Sequence, residues 1–470
     1  MESVDAVLGA LNTVIWGYLL IYVLIGAGIY FTVKMRFLQF RRFGHLFGVM
    51  SGSRHCDGGG ISPFQAFCVS MASRVGTGNI AGVAIALTLG GPGAVFWMWC
   101  VALVGMATAF VEATLAQLYK VPQPDGTFRG GPAYYIQRGL GSRTWGIVFA
   151  VLLIFTFGLA FNAVQANTIA DVLGESFGVP TWVTGVALAL VCAPIFFGGI
   201  RSVARVAEWM LPAMALAYVA LALLILVIHI DRVPDMFMLI VRSAFGLDQA
   251  AAGAFGGLMV ALMNGAKRGL FSNEAGMGSA PNMAATATTA HPATQGFIQA
   301  LGVFMDTIVI CSATAFIILL SNQYDVTGAT EMAGASLTQS VIAEEFGTAG
   351  GLFMTFVIFL FAFSSIIGNY AYADGNMTFL GARVSAFTIF RIVAVLAVLG
   401  GSIGELPTVW ALADVAMGLM ALVNLGAILM LSKWAFATLA DYEAAEERGR
   451  PRFEASGNAL LPAPLKTEVW

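Results

Sequence analysis

Residues 61–83, ISPFQAFCVSMASRVGTGNIAGV, decide the fold. The stretch opens as an apolar helix and then meets Gly76-Thr77-Gly78-Asn79. Glycine costs about 1 kcal/mol in a helix interior, and asparagine competes for backbone hydrogen bonds. The pattern therefore predicts unwinding in the middle of an apolar segment that runs from 61 to 90. Unwound backbone at membrane depth is tolerated only where it faces protein or a wet cavity. A second long segment, 250–287, holds Asn264-Gly265-Ala266-Lys267-Arg268-Gly269 and then Ser272-Asn273-Glu274-Ala275-Gly276. It is expected to unwind at both. Paired interruptions at matching places in two halves point to a secondary transporter's binding site. Close packing of membrane helices through glycine is the competing account of the same residues.

Composition sets the environment. Of 470 residues 59% are hydrophobic and 10% charged, where a soluble domain carries about 25% charged residues. Mean hydropathy is +0.83. These values exclude a soluble globule and a disordered chain. A net charge of -3 argues against nucleic acid as a partner. The five cysteines (Cys56, Cys68, Cys100, Cys192, Cys311) include no C-x-x-C, and the four histidines (His45, His55, His229, His291) form no H-E-x-x-H. Neither a disulfide framework nor a zinc site is indicated. His291 has no evident partner in the sequence.

The expected fold is all-α and polytopic, with about eleven transmembrane helices. The apolar segments are 14–33, 61–90, 93–118, 145–172, 180–198, 206–230, 250–287, 296–321, 351–373, 384–402 and 405–432. The first, led by Glu2 and Asp5 and ending at Lys34, Arg36, Arg41 and Arg42, is a span and not a cleaved leader. With the N-terminus outside, the inner loops hold these bases and Arg54, then Lys120, Arg129, Arg138 and Arg143, then Arg201 and Arg205, then Arg383. The outer loops hold Arg232 and Arg242, and 322–350 carries acids (Asp325, Glu331, Glu344, Glu345) and no base. This is the positive-inside pattern. It places the C-terminus in the cytoplasm and the chain as a multi-pass protein of the plasma membrane (a bacterial inner membrane). The organisation expected is an extra helix and basic loop, 1–60; a five-helix repeat, 61–230; an external connection, 231–249; a second, inverted repeat, 250–432; and a tail, 433–470. The charged, proline-containing tail reads as a short helix followed by disorder.

The breaks supply ion-binding chemistry. A half-helix N-terminus attracts a carboxylate, and C-terminal carbonyls attract a cation. Ala72 and Val75 stand one turn before the first break and can offer carbonyls. Ser364 and Ser365 are a hydroxyl pair in an apolar run. They can ligate a hard cation or bond their own helix carbonyls. In FNAVQAN, Asn162 and Gln165 share one helix face and suit a polar substrate, while Asn167 lies elsewhere and equally suits a bond between helices. Arg74, Glu112, Lys267, Arg268, Glu274, Asp306 and Asp374 are charges at membrane depth. Arg74 is expected to pair with Glu112 or Glu274 as an inner gate, and Asp306 is a further gate candidate.

Five stretches carry a family resemblance: SPFQAFCVSMASRVGTGNIAGVA; GGPGAVFWMWCVALVGMATAFVE; GGPAYYIQRGLG; RGLFSNEAGMGSAP with HPATQGFIQALGVFMDT; and LFAFSSIIGNYAYAD. Together they span about 61 to 380, and the chain resembles the alanine/glycine:cation symporters, the sodium:alanine symporter family. The resemblance implies a LeuT-like fold, a 5+5 inverted repeat with one extra N-terminal helix, and sodium-coupled uptake of alanine or glycine. It implies that Thr77, Gly78 and Asn79 bind the substrate carboxylate. It implies sodium at Ala72, Val75, Phe361, Ser364 and Ser365. Gln165 matches a pocket glutamine, and Gly269, Leu270 and Phe271 should wall the methyl side. The chain departs from many members at Asn369, where a Trp is common, at Ala373-Asp374, where Gly-Glu is common, and at Arg74, where Ser or Thr is common. Asn369 thus enters the substrate set.

The function expected is sodium-coupled symport of a small neutral amino acid by alternating access, with no covalent chemistry, by a protein that acts as a monomer. A channel would show a filter or a ring of charges, and an enzyme would need a nucleophile–base or metal set. The sequence displays neither. Proton coupling through Asp306 or Glu274 is the nearer rival, and the non-titrating hydroxyl pair favours sodium.

Overall fold

The computed structural model describes residues 2–54, 61–124, 126–198, 200–247, 251–324, 334–449 and 452–470. His55, Cys56, Asp325 and Glu331 lie outside the described residues. The described chain is almost wholly helical. In order the main helices are α1 (Ala6–Lys34), α2 (Pro63–Arg74), α3 (Gly78–Gly90), α4 (Gly93–Leu118), α5 (Arg143–Phe177), α6 (Thr181–Gly198) and α7 (Ile200–Ile228). They continue as α8 (Val233–Ala244), α9 (Ala251–Asn273), α10 (Pro281–Ala284), α11 (Pro292–Leu320), α12 (Ala335–Phe379), α13 (Val384–Ile403) and α14 (Leu406–Glu447). Eight helices among the described residues are long and apolar enough to cross a bilayer. A two-residue antiparallel strand pair, Val121–Pro122 with Phe128–Arg129, is the one sheet among the described residues.

Large apolar side chains on the outside confirm the membrane setting. Trp209 is 80% exposed, and Leu190 and Leu216 are each 71% exposed. Polar groups are instead turned inward: Asn79, Asn162, Asp306, Ser364 and Ser365 are each 0% exposed. This inversion suits a lipid surround, where an inward polar group can find a partner and an outward one cannot.

The first break lies where the sequence places it. Ser62 caps α2 through a reciprocal capping box with Gln65, with Pro63 at the first helical position. The helix ends at Val75, whose ψ of 85° leaves the helical region. Gly76 follows, and a Cβ there would lie 2.0 Å from Ser365 Oγ, so only glycine permits the approach of α12. The second break bears out the expectation at Glu274–Gly276 and corrects it at 264–269. Residues 264–269 stay helical inside α9, and the chain unwinds at 274–280, where Glu274 (φ 58), Gly276 (φ 94) and Gly278 (φ 84) are left-handed. Gly265 serves close packing: a Cβ would meet the Ala94 carbonyl oxygen at 2.5 Å and Trp97 Cβ at 2.7 Å on α4.

The tail corrects a second expectation. Helix α14 runs on to Glu447, and residues 452–470 pack back over the face that carries the basic loops. The Phe453 backbone N–H donates to the Ala290 carbonyl at 3.0 Å. Its ring lies edge-on to His291 and Trp470. The Trp470 indole N–H donates to the Gln117 carbonyl at 2.8 Å, and its ring lies 4.6 Å from Lys120 Nζ. Two aromatic anchors outweigh a hydrophilic composition that read as disorder. His291 also has a partner after all. Its Nε2 lies 3.0 Å from Asp441 on α14, 150 residues away in sequence.

Candidate functional site

Three helices meet at the first break. The C-terminal end of α2 presents backbone carbonyls to α12. Ser365 Oγ donates to the Ser73 carbonyl at 2.9 Å and to its own-helix Phe361 carbonyl at 3.1 Å. Ser364 Oγ lies 3.4 Å from the Val75 carbonyl and 2.9 Å from that of Phe361. Each hydroxyl has one proton for two acceptors, one on its own helix and one on α2. Val75, Phe361, Ser364 and Ser365 are brought together, and the Ser73 carbonyl joins them. Ala72 is buried in the preceding turn. The donors are all neutral oxygens, the set a hard monovalent cation accepts.

The unwound residues are tied to their neighbours. The Gly76 N–H donates to Asn79 Oδ1 at 3.0 Å, and the Thr77 N–H donates to Gln165 Oε1 on α5 at 3.2 Å. Asn79 Nδ2 donates to Asp306 Oδ1 on α11 at 2.7 Å and to Ser272 Oγ on α9 at 3.1 Å. The Thr77 hydroxyl is buried with no partner. A lone buried hydroxyl at the start of α3 leaves a donor for an anionic group. On the other side Phe271 presses on Gly78, where a Cβ would lie 2.8 Å from Phe271 Cδ1. The Phe271 ring also packs on Phe161 at 4.5 Å and Trp410 at 4.8 Å between centroids. Leu270 is buried beside it. Gly269 does not join this wall: it faces Met98 and Val101 of α4.

Asn369 and Asn162 form a pair. Asn369 Nδ2 donates to Asn162 Oδ1 at 3.1 Å. Asn167 stands apart and bonds the Gly401 carbonyl of α13 and the Gly404 carbonyl just past its end, a link between helices. The buried acids are held by neutral donors. Glu112 accepts from the Gly276 N–H at 3.1 Å and from Asn424. Glu274 accepts from Ser279 at 2.5 Å and meets Ser73 at 2.8 Å. Asp306 accepts from Ser272 at 2.5 Å and Thr307 at 2.9 Å. The expected ion pair of Arg74 with Glu112 or Glu274 is not formed. The Arg74 guanidinium points along α11 to the Gln299 carbonyl, 3.5 Å from Nη1, and its Nε and Nη2 have no partner.

The family model for the sodium:alanine symporter family matches residues 1–455. The chain belongs to the sodium:alanine symporter family. It is 46% identical over 450 residues to the probable sodium/glutamine symporter GlnT of Bacillus subtilis, covering 96% of this chain and 93% of that one. It is 38% identical over 441 residues to the sodium/alanine symporter AgcS of Methanococcus maripaludis, covering 92% and 95%. In three dimensions it is similar to MhsT in complex with L-phenylalanine, with a TM-score of 0.59, 13% identity and coverage of 84% and 93%. That likeness shows the fold, a LeuT-fold.

In this symporter-family chain one feature near the site escaped sequence reasoning. Arg268 on α9 bonds both carboxylate oxygens of Asp414 on α14, with its guanidinium 4.8 Å from the Trp410 ring. The Arg268 guanidinium also lies 5.8 Å from the centre of the Phe271 ring, which packs on Trp410. A signal was present: past Glu405 at its start, Asp414 is the one acid in the apolar run 405–432. Nothing in that run names its partner. With Thr77 1% and Asn79 0% exposed, the first break is buried.

Proposed function

We propose that this chain takes up a small neutral amino acid, alanine or glycine, together with sodium, by alternating access. The observation that carries the reading is the meeting of the Ser73 and Val75 carbonyls with the Ser364 and Ser365 hydroxyls, one turn from an unwound Thr77–Asn79. Sodium seated among Ala72, Val75, Phe361, Ser364 and Ser365 would draw α2 and α12 together. That would steady the segment whose amides and Thr77 hydroxyl receive the substrate carboxylate. The two affinities then rise together, as linkage requires. Gln165, Asn162 and Asn369 supply polar contacts, and Phe271 pressed on Gly78 favours a small side chain.

The inverted 5+5 arrangement, 61–230 and 250–432, is supported by packing: α4 lies on α11, α5 on α12 and α6 on α13, each pair at equivalent places in the two sets. The extra helix α1 lies against α4 and α14 outside both sets. The bases Arg41, Arg42, Lys120, Arg129 and Arg138 collect on the tail face, which we assign to the cytoplasm, with the N-terminus outside. Arg268–Asp414 then closes the outer side. On the inner side the Thr288 N–H donates to the Ile61 carbonyl at 3.0 Å, tying the start of α2 to the chain after α10. Both sites and both closures belong to one chain, so a monomer suffices.

The test is uptake of labelled alanine, glycine and glutamine into liposomes, glutamine being included because the GlnT relative is named for it. An inward sodium gradient should drive saturable uptake of alanine or glycine, and Ser365→Ala should abolish it. Uptake driven only by a pH gradient would move coupling to Asp306 or Glu274. Glutamine uptake without alanine or glycine would overturn the small-substrate reading.

A further inference from the structure

The backbone of Asn79 is held from outside its own helix. It stands in a wide helical turn, Gly78–Gly82, at the start of α3. Thr314 Oγ1 on α11 lies 2.6 Å from its carbonyl oxygen. A carbonyl can only accept, so Thr314 gives its one proton there. A helical threonine commonly bonds the carbonyl four residues back. Here that group, the Ile310 carbonyl, is 3.5 Å from Oγ1. Tyr218 Oη on α7 lies 2.6 Å from the same Thr314 oxygen. With the threonine proton committed to Asn79, the phenol must be the donor. The order from Tyr218 to Thr314 to the Asn79 carbonyl is thus fixed by an end that cannot reverse. Both side chains are fully buried.

The ring of Tyr218 meets the cation site. It lies edge-on to Phe361 on α12, 5.3 Å between centroids. The Phe361 carbonyl in turn faces Ser364 Oγ and Ser365 Oγ. Helix α7 packs on α2, α11 and α12 alike. Tyr218 and Thr314 lie in none of the five stretches that carry the family resemblance. We propose that Tyr218 is a positioning residue that couples the cation site to the substrate segment, through its ring on Phe361 and its hydroxyl on Thr314. The proposal rests on the sodium-symport reading of the site. A cation drawn among the oxygens of α2 and α12 sets the position of Phe361. The Tyr218 ring follows, since close-packed side chains transmit small shifts. Its hydroxyl then keeps the Thr314 proton on the Asn79 carbonyl. With that backbone held, the Asn79 side chain accepts from the Gly76 N–H and donates to Asp306 at once. Without the phenol, the Thr314 hydroxyl is free to turn to Ile310, and the Asn79 carbonyl loses its outside donor. Order in the carboxylate-binding segment then depends less on the ion.

The test is uptake of labelled alanine or glycine by the full chain in liposomes, with KM measured over a series of sodium concentrations. Linkage makes the wild-type KM fall as sodium rises. Tyr218→Phe keeps the ring on Phe361 and removes the hydroxyl. It should raise KM at saturating sodium about fivefold, the weight of one buried neutral hydrogen bond. It should also flatten the fall of KM with sodium. Thr314→Val, which removes the relay, should do the same. The double variant should be no worse than either alone, because all three cut one chain of bonds. Thr314→Ser, which keeps the hydroxyl, should keep the sodium dependence. If Tyr218→Phe does not reach the membrane, the contrast of Thr314→Val with Thr314→Ser carries the test. A merely structural tyrosine would lower the maximal rate and the melting temperature, with KM and its sodium dependence as in wild type, and that result overturns the proposal. Additive losses in the double variant overturn the relay as well. A wild type that takes up neither substrate with sodium overturns the symport reading and the coupling with it. Sodium-driven uptake by wild type, with an unaltered sodium dependence in Tyr218→Phe, overturns the coupling alone.

Discussion

Arg268 and Asp414 form a buried ion pair across α9 and α14, with the guanidinium 5.8 Å from the centre of the Phe271 ring that packs on the first break. Both side chains are largely out of water, at 4% and 10% exposure. A pair so placed holds α9 to α14, and it can be exposed to water only if the helices part. Removing one partner of such a pair typically costs about 3–5 kcal/mol, because the other charge is left stranded. We therefore expect Asp414→Asn to lower uptake more than tenfold and to lower the melting temperature in detergent. Wild-type uptake in Asp414→Asn would remove the pair from gating.

Gly76 and Ser365 give a steric test of the cation site. A Cβ at Gly76 would lie 2.0 Å from Ser365 Oγ, while one at Gly26 on α1 meets nothing within 4 Å. Gly76→Ala should abolish sodium-dependent uptake, and Gly26→Ala should leave it unchanged. Ser365→Thr, which keeps the hydroxyl, should retain part of the activity lost in Ser365→Ala. Titrating uptake against sodium concentration checks all three.

Phe271 should set substrate size. Its ring fills the space between Gly78, Phe161 and Trp410. Truncating a buried Phe costs about 3–5 kcal/mol of stability but opens a cavity. In Phe271→Ala the ratio of glutamine to alanine uptake should rise about tenfold, the order that a few apolar contacts supply in a pocket. An unchanged ratio with both substrates measured in one preparation would place the wall elsewhere.

His291 makes stability pH-dependent. It caps α11: its Nδ1 accepts from the Ala293 N–H at 3.1 Å, which requires a neutral ring. Burial lowers its pKa from 6.5 to about 4, and Asp441 opposes the shift only in part. Between these values the unfolded chain binds more protons than the folded one, so stability falls as pH falls from 6.5 toward 4. The melting temperature should drop over this window, and His291→Gln, which does not titrate, should flatten that part of the curve. A curve of unchanged slope would show that the ring is already charged when folded.

The packed tail should protect the inner face. Trp470→Ala removes the indole bond to Gln117 and the ring beside Lys120, whose pKa burial lowers to about 7. Trypsin should then cut at Arg452 and Lys466 several-fold faster than in wild type. Equal rates would show that Phe453 alone holds the tail.

The sequence by itself determined the membrane class, the family, the first break and most residues around it. Those properties are local: an apolar run needs lipid wherever it sits, and Gly-Thr-Gly-Asn weakens a helix whatever its neighbours are. The tertiary structure decided the rest. Of the two interruptions legible in the second segment, it kept 264–269 helical and left the break at Glu274 and Gly276, because at Gly265 another helix packs where a side chain would stand. It joined Arg268 to Asp414 and His291 to Asp441, partners about 150 residues apart in sequence. It also left Arg74 without the carboxylate expected for it, since Glu112 and Glu274 are already bonded to neutral donors. Which buried polar group meets which is set by how the helices cross, and spacing along one helix carries no information about the angle at which another passes it.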